Sequence, residues 1–285
     1  MDSPRSFYYN TPNGTHLHCT ENGNPSGSLV ILLHGLGGST ETFQPLLQYL
    51  SPSKNRLISV DFEGFGKSAF SSPDVTLSIP RYVSDLEHLV SSFQGSAGLD
   101  HGGKLLLIGH SLGAIVSMHY ASKAADQLRG LVLLGPGRSI ANIPAARDRM
   151  LDLAKKTRAE GIQAAADTAA VSNFPLQREI SSRLRQIVRD AVASCDAEAY
   201  AKTCEAVASF DHVDPDYSRI NIPTLLLAGG DDVISPPERS VALAELIGDN
   251  SSVKVLEGVG HQMILQDLDG SVEAIKGFLL EKVGM

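Results

Sequence analysis

The stretch Leu105-Leu106-Leu107-Ile108-Gly109-His110-Ser111-Leu112-Gly113-Ala114 constrains this chain more than any other. Its four leading apolar residues read as a buried strand, and the segment from Ser111 to about Ser122 reads as a helix. Gly-x-Ser-x-Gly at the join leaves room only for a sharp turn. Such a turn holds its serine in a strained backbone conformation, and a Cβ on either flanking residue would collide with the adjoining strand and helix. The hydroxyl is then displayed at a helix N-terminus, where free N–H groups and the helix dipole favour developing negative charge. Ser111 is therefore a candidate nucleophile.

Apolar runs recur on both sides of this turn. Leu29–Leu33, Arg56–Val60, Gly130–Leu134, Leu225–Ala228 and Val253–Leu256 read as further strands. Helical spacing separates them over Ile79 to about Phe93, Pro237 to Ile247 and about Asp267 to Val283. This rhythm predicts an α/β fold, a mostly parallel sheet with right-handed crossovers and helices on both faces. Residues 6–10 and 15–20 add a hairpin around Thr11-Pro12-Asn13-Gly14, and Glu21 to Ser28 reads as a polar turn. From Arg138 to Asp216 the strand runs stop. Glu179–Ala193 carries Ile180, Leu184, Ile187, Val188, Ala191 and Val192 on one stripe, and Asp196 can cap a helix bearing Tyr200, Cys204 and Val207. Residues 138–216 are expected to form an all-helical insertion over a core of residues 1–137 and 217–285.

Several functions are excluded on physical grounds. A net charge of −8 disfavours a nucleic-acid groove or an anionic membrane surface. No window approaches the roughly 18 apolar residues of a membrane helix. The N-terminal stretch lacks the basic and apolar regions of a secretory signal. Three cysteines, Cys19, Cys195 and Cys204, do not make a disulfide framework. Together these predict a cytoplasmic protein, with the oligomeric state left open. Gly35-Leu36-Gly37-Gly38-Ser39 resembles a dinucleotide turn, but Thr40 stands where the third glycine is needed. Gly66-Lys67-Ser68 resembles the end of a phosphate loop, but Asp61 replaces its opening glycine, and the loop reads as structural. His16 and His18 share one strand face without a third ligand nearby, so they read as hairpin surface.

A serine nucleophile needs a base, and the base an orienting carboxylate. Two later strand ends supply them. Leu225–Ala228 leads into Gly229-Gly230-Asp231-Asp232, and Val253–Leu256 into Gly258-Val259-Gly260-His261. The order serine, acid, histidine is that of hydrolases built on this turn, with Asp231 or Asp232 as the acid.

The chain resembles an α/β-hydrolase with a helical cap along essentially its whole length. His34-Gly35-Leu36-Gly37, Asp61-x-x-Gly64-x-Gly66-x-Ser68, Gly109-His110-Ser111-Leu112-Gly113, Gly229-x-x-Asp232-x-x-x-Pro236 and Gly260-His261 match that family in order. The resemblance implies Asp232 as the acid, with Asp231 the alternative, and the backbone N–H groups of Leu36 and Leu112 as oxyanion donors. His34, His110 and Asp61 are expected to brace their loops, and His88, His101, His119 and His212 to be ordinary surface or core residues. No metal or organic cofactor is implied.

In the insertion, Arg158 to Asp167 and Asp196-x-x-x-Tyr200-x-x-x-Cys204-Glu205-Ala206 are similar to 3-oxoadipate enol-lactonases. The likeness departs at Ser172-Asn173-Phe174-Pro175, where those enzymes carry tryptophan. It implies a small-molecule ester or lactone substrate and an acyl-enzyme. Haloalkane dehalogenases and epoxide hydrolases of this fold use an aspartate nucleophile, so Ser111 argues against both. A carbon–carbon bond hydrolase with the same triad and a catalytically weak ligand-binding receptor are the alternatives.

Overall fold

The computed structural model describes residues 4–94 and 103–285, so His101 and the first three residues of the N-terminal stretch lie outside the described residues. The strands are β1 (Arg5–Asn10), β2 (His16–Gly23), β3 (Ser28–Leu33), β4 (Asn55–Val60), β5 (Leu105–His110), β6 (Leu128–Leu134), β7 (Thr224–Gly229) and β8 (Ser251–Leu256). They form one sheet in the order β1-β2-β4-β3-β5-β6-β7-β8. β2 pairs antiparallel with β1 and β4, and the remaining pairings are parallel.

Alternation within β3 builds two cores. Leu29, Ile31 and Leu33 point into one, Val30 and Leu32 into the other. The helices α1 (Gln44–Leu47), α2 (Ile79–Gln94) and α3 (Leu112–Ala124) follow β3, β4 and β5. α2 and α3 cover the first face, while Leu46 and Leu47 of α1 enter the second core. α3 is buried on nearly every side, which is why its sequence is apolar all round. The chain leaves β3 for β4, then returns to place β5 on the other side of β3. Parallel neighbours whose connections depart in opposite directions open a crevice at their carboxyl ends. The crevice lies between His34-Gly35 and His110-Ser111.

Four helices separate β6 from β7: α4 (Pro144–Glu160), α5 (Ile162–Ser172), α6 (Ser182–Ala193) and α7 (Ala197–Ala208). They form the expected helical cap. Asp196 caps α7 by accepting the Ala199 N–H at 2.8 Å. α6 starts three residues later than its apolar stripe suggests, because Ser181 caps it and leaves Ile180 outside. Ile187 is 41 % exposed and does not join the buried stripe. Val192, Tyr200 and Ala199 press onto the sheet's loops at Gly37 and Gly64.

The last part of the chain holds α8 (Pro237–Ile247), α9 (Met263–Gln266) and α10 (Leu268–Phe278), closed by a π-helical turn over Leu279–Val283. The expected C-terminal helix from about Asp267 to Val283 is α10 with its π-helical turn; Asp267 caps its start by accepting the Gly270 N–H, and the short α9 precedes it. β2 outruns its expected end. Glu21 sits inside it, buried, and bonds Arg5 and Arg56. Among the described residues no helix is long and apolar enough to cross a membrane.

The decoy loops are structural. Asp61 accepts the backbone N–H groups of Thr40 at 2.6 Å and Lys67 at 2.9 Å and pairs with His18 Nδ1 at 2.7 Å. His18 is therefore buried, not hairpin surface as expected: Asp61 takes one ring nitrogen and Ser6 the other. Among the described residues no group of three or more His, Cys, Asp or Glu is placed to hold a metal.

Glu63, fully buried, ties the same loop to the hairpin and α2 by bonding Arg81 Nε at 2.7 Å, Thr15 Oγ1 at 3.1 Å and Ser71. Burial raises its pKa, but the Arg81 hydrogen bond and charge and the two hydroxyls outweigh it and hold the carboxyl below the usual glutamate value. A depressed carboxyl stabilises the fold above its unfolded pKa, and that stabilisation is lost as pH falls through the folded value. Glu63→Gln is expected to lower unfolding free energy by about 2 kcal/mol at neutral pH. The gap from wild type should close on acidification below the ordinary glutamate range, as read by urea denaturation.

Candidate active site

Ser111 stands between β5 and α3 with φ 51° and ψ −109°, a left-handed φ for a residue with a side chain. Strain of that kind runs to about 1–3 kcal/mol and persists only where its surroundings enforce it. Here the Ser111 N–H donates to the Leu134 carbonyl at 2.9 Å, and its own carbonyl accepts from Ile115 at 3.1 Å. A Cβ on Gly113 would sit 2.0 Å from the Leu33 carbonyl oxygen, so only glycine lets α3 start this close to β3. The loop after β3 comes equally close, since a Cβ on Gly35 would lie 3.1 Å from Ser111 Cβ. Among the described residues no protein acceptor takes the N–H of Leu36 in that loop or of Leu112 at the head of α3.

His261 comes from the far side of the sheet. Its loop leaves β8 and crosses back over the ends of β7 and β6. A Cβ on Gly229 would lie 2.2 Å from the Gly260 carbonyl oxygen, and one on Gly135 would lie 3.1 Å from the His261 ring. Those two glycines keep the path flat. Gly135 directly follows Leu134, the acceptor of the Ser111 N–H, and the His110 and His261 ring centroids are 4.8 Å apart. The structure therefore brings Ser111 and His261 to adjoining strand ends.

His261 Nδ1 bonds Asp232 Oδ2 at 2.7 Å, with both side chains buried. This leaves Nε2 as the nitrogen open to other work. The second carboxylate oxygen of Asp232 accepts the N–H groups of Ile234 at 2.8 Å and Ser235 at 2.9 Å. Burial raises the Asp232 pKa, but the His261 charge and hydrogen bond and those two N–H bonds outweigh it and hold the carboxyl below its usual value. Asp231 is 41 % exposed and pairs at 3.3 Å with Arg178 of the cap. The carboxylate on the imidazole belongs to Asp232.

The flanking histidines are braces. His34 Nδ1 donates to the Gly35 carbonyl at 2.7 Å, and its Nε2 accepts the Phe62 N–H at 3.0 Å. His110 Nε2 donates to the His261 carbonyl at 2.9 Å.

The profile of the Hydrolase_4 family, described as "Serine aminopeptidase, S33", matches residues 24–269. The chain belongs to this family. It is a serine hydrolase of the α/β-hydrolase superfamily. The 2-hydroxy-6-oxo-6-(2'-aminophenyl)hexa-2,4-dienoic acid hydrolase of Metapseudomonas resinovorans is 25 % identical over 89 % of this chain and 84 % of that protein. The structure of a thermophilic esterase from Thermogutta terrifontis, with malate bound, aligns at a TM-score of 0.81 with 25 % identity, covering 99 % of this chain and 100 % of that one. An enol-lactonase from Burkholderia xenovorans LB400 aligns at 0.82 with 23 % identity over 96 % and 100 % of the two chains, a likeness of fold.

In this hydrolase a cavity of about 110 Å³ lies between the Gly35–Gly38 loop, α6 and residues 262–265. Leu36, Ile187, Val188, Val192, Met263 and Leu265 give it apolar walls, and among the described residues Glu41 is its one charged lining residue. A larger cleft of about 450 Å³ lies between Thr76–Pro80 and α7; Ser111, Asp232 and His261 line neither cavity, but the smaller one reaches their neighbours Leu36, His110 and Gln262.

Asn173 of the cap was not legible in the sequence as a site residue. Its carbonyl accepts the His261 N–H at 2.9 Å, and a backbone acceptor leaves no side-chain signature.

Four histidines are held neutral. Burial pushes His110 down to about 3, helped by the charge of His261, and His119 down to about 4, helped by His212. Burial lowers His34 and His212 as well. The unfolded chain takes protons at these groups near the ordinary pKa of about 6.5 while the folded chain does not. Stability is therefore intact above that pH and falls below it, by up to about 1.4 kcal/mol per pH unit for each such histidine. Denaturation midpoints should drop between about pH 7 and about pH 5, before ordinary carboxylates titrate. His110→Asn should make that decline shallower.

Proposed function

We propose that Ser111, His261 and Asp232 are the catalytic triad of a hydrolase for small esters or lactones, an activity of enol-lactonase type. The observation that carries the reading is the His261–Asp232 pair lying over Gly135, beside the strained Ser111 turn. His261 Nε2 takes the Ser111 proton while Asp232 orients the ring and stabilises its cationic form. Ser111 Oγ attacks the carbonyl carbon, and the oxyanion is received by the N–H groups of Leu36 and Leu112. The protonated imidazole gives its proton to the leaving alkoxide or enolate. Water, deprotonated by His261, then releases the acid from the acyl-enzyme. Each oxyanion donor contributes on the order of 3 kcal/mol to the transition state.

Residues 138–216 are read as the lid over a core of residues 1–137 and 217–285. A cavity of about 110 Å³, a few times the roughly 30 Å³ share of one liquid water, supports a small acyl or leaving group. Three buried, unpaired thiols support a reducing compartment, the cytoplasm. The dienoic acid hydrolase relative favours a second reading, carbon–carbon bond hydrolysis at the same residues. Turnover of diketones without turnover of esters would select it.

Ser111→Ala is expected to abolish hydrolysis of 4-nitrophenyl acetate while keeping the melting temperature. Asp232→Asn should lower kcat by roughly 10³- to 10⁴-fold, by analogy with the loss of the orienting carboxylate in serine proteases. Asp231→Asn should stay within about twofold, since an exposed ion pair contributes little. The reverse ranking moves the acid to Asp231, and full activity in Ser111→Ala removes the proposal.

A further inference from the structure

We propose that Asn173, in the cap turn Asn173-Phe174-Pro175, is a positioning residue that holds the backbone of His261 so that its imidazole stays on Asp232. The inference rests on the reading of Ser111, His261 and Asp232 as the reacting groups.

The loop that carries His261 has left β8 and runs over two other strand ends, so it lacks the ladder that fixes a strand. Besides the Asp231 N–H bond to the Val259 carbonyl and the ring bond to Asp232, four hydrogen bonds hold it around His261. Gly260 N–H donates to Gln266 Oε1 at 2.9 Å, and the His261 carbonyl accepts from His110 at 2.9 Å. The other two go to one cap residue. His261 N–H donates to the Asn173 carbonyl at 2.9 Å, and Gln262 Nε2 donates to Asn173 Oδ1 at 2.7 Å.

Asn173 is itself fixed. Its backbone N–H and its Nδ2 both donate to the Ala169 carbonyl, at 3.1 and 3.0 Å, so it closes the last turn of α5. Phe174 beside it is fully buried, with the Arg185 guanidinium 5.4 Å over its ring. Gly260 is pressed against this turn: a Cβ there would lie 2.9 Å from both the Asn173 carbonyl oxygen and Pro175 Cδ. The cap side of the contact is therefore held by its own helix, and the histidine loop, outside the sheet's ladder, leans on it. Bonds to a partner held in this way order the loop that makes them. General-base catalysis is sensitive to displacements of about 0.5–1 Å, so ordering this backbone affects the chemical step rather than substrate affinity.

The test follows two readouts in wild type, Asn173→Leu, Gln262→Leu, the double variant and Asn173→Asp. One is the rate at which a serine-directed phosphonate adds mass to the Ser111 peptide. The other is kcat and KM for 4-nitrophenyl acetate. Losing the Gln262–Asn173 hydrogen bond should slow labelling and kcat by about threefold to tenfold in Gln262→Leu and at least as much in Asn173→Leu, which also loses the Nδ2 bond to the Ala169 carbonyl, with KM within about twofold in both. The double variant should be no slower than the worse single, because both cut the same bond. Asn173→Asp keeps an acceptor for Gln262 but loses the donor to the Ala169 carbonyl, and should fall between wild type and Asn173→Leu. Arg189→Ala, which breaks an exposed pair with Asp167 elsewhere on the cap, should leave the rate unchanged. Gln262→Leu approaches the bond from the core side, so damage to the cap cannot imitate the result. Wild-type labelling rates in both single variants, or a rise in KM at constant kcat, overturn the positioning role. Failure of wild-type Ser111 to take the phosphonate at all overturns the triad reading beneath it.

Discussion

The left-handed turn at Ser111 is the constraint on which the rest of the structure depends. A residue with a Cβ does not hold φ 51° unaided, so neighbours must impose it. Leu134 takes the serine N–H, and Gly113 lets α3 begin against the Leu33 carbonyl. Both contacts require β5 to lie between β3 and β6, the order the sheet adopts. The same order brings the loop after β3 onto the serine, with the Leu36 and Leu112 N–H groups unclaimed among the described residues. Local strain and global topology are two descriptions of one arrangement.

Distance is the second problem, because β8 lies three places from β5 in the sheet. The histidine loop must cross the ends of β7 and β6, and the glycines at those ends clear its way. A loop that crosses other strands cannot use their hydrogen-bonding edges, so its anchors are unlike those of a strand. His110 holds the His261 carbonyl from below, and the cap holds its N–H from above. The cap thus does more than roof a cavity. It completes the hydrogen bonding of a core loop, a different use of an inserted domain from shaping a pocket.

Buried polar groups explain the motifs that imitate other functions. Asp61 sits where a phosphate loop would open, yet its oxygens are filled by backbone N–H groups and His18. Glu63, two residues on, is filled by Arg81 and two hydroxyls. Neither has a lone pair aimed at a ligand. A glycine-rich loop with acids can be bound to itself, and here the acids replace the anion that such a loop would otherwise hold.

The sequence alone determined the class of fold, the strand-to-helix turn at Ser111 and the order of the three candidate residues, because these follow from local patterns. Apolar runs report strands buried on both faces, and glycine spacing reports a turn that tolerates no Cβ. Its misreadings were local as well: Glu21 looked like a turn residue because a buried charge with two arginine partners has the same letter as an exposed one. Tertiary structure alone distinguishes the surroundings of Asp231 and Asp232, adjacent and chemically alike. One meets the imidazole behind two backbone N–H groups and the other faces solvent and Arg178. It alone also placed the Asn173 carbonyl on His261. Every residue but proline carries the same carbonyl and N–H, so which pair meets across 88 positions of chain is set by packing and leaves no mark in the letters.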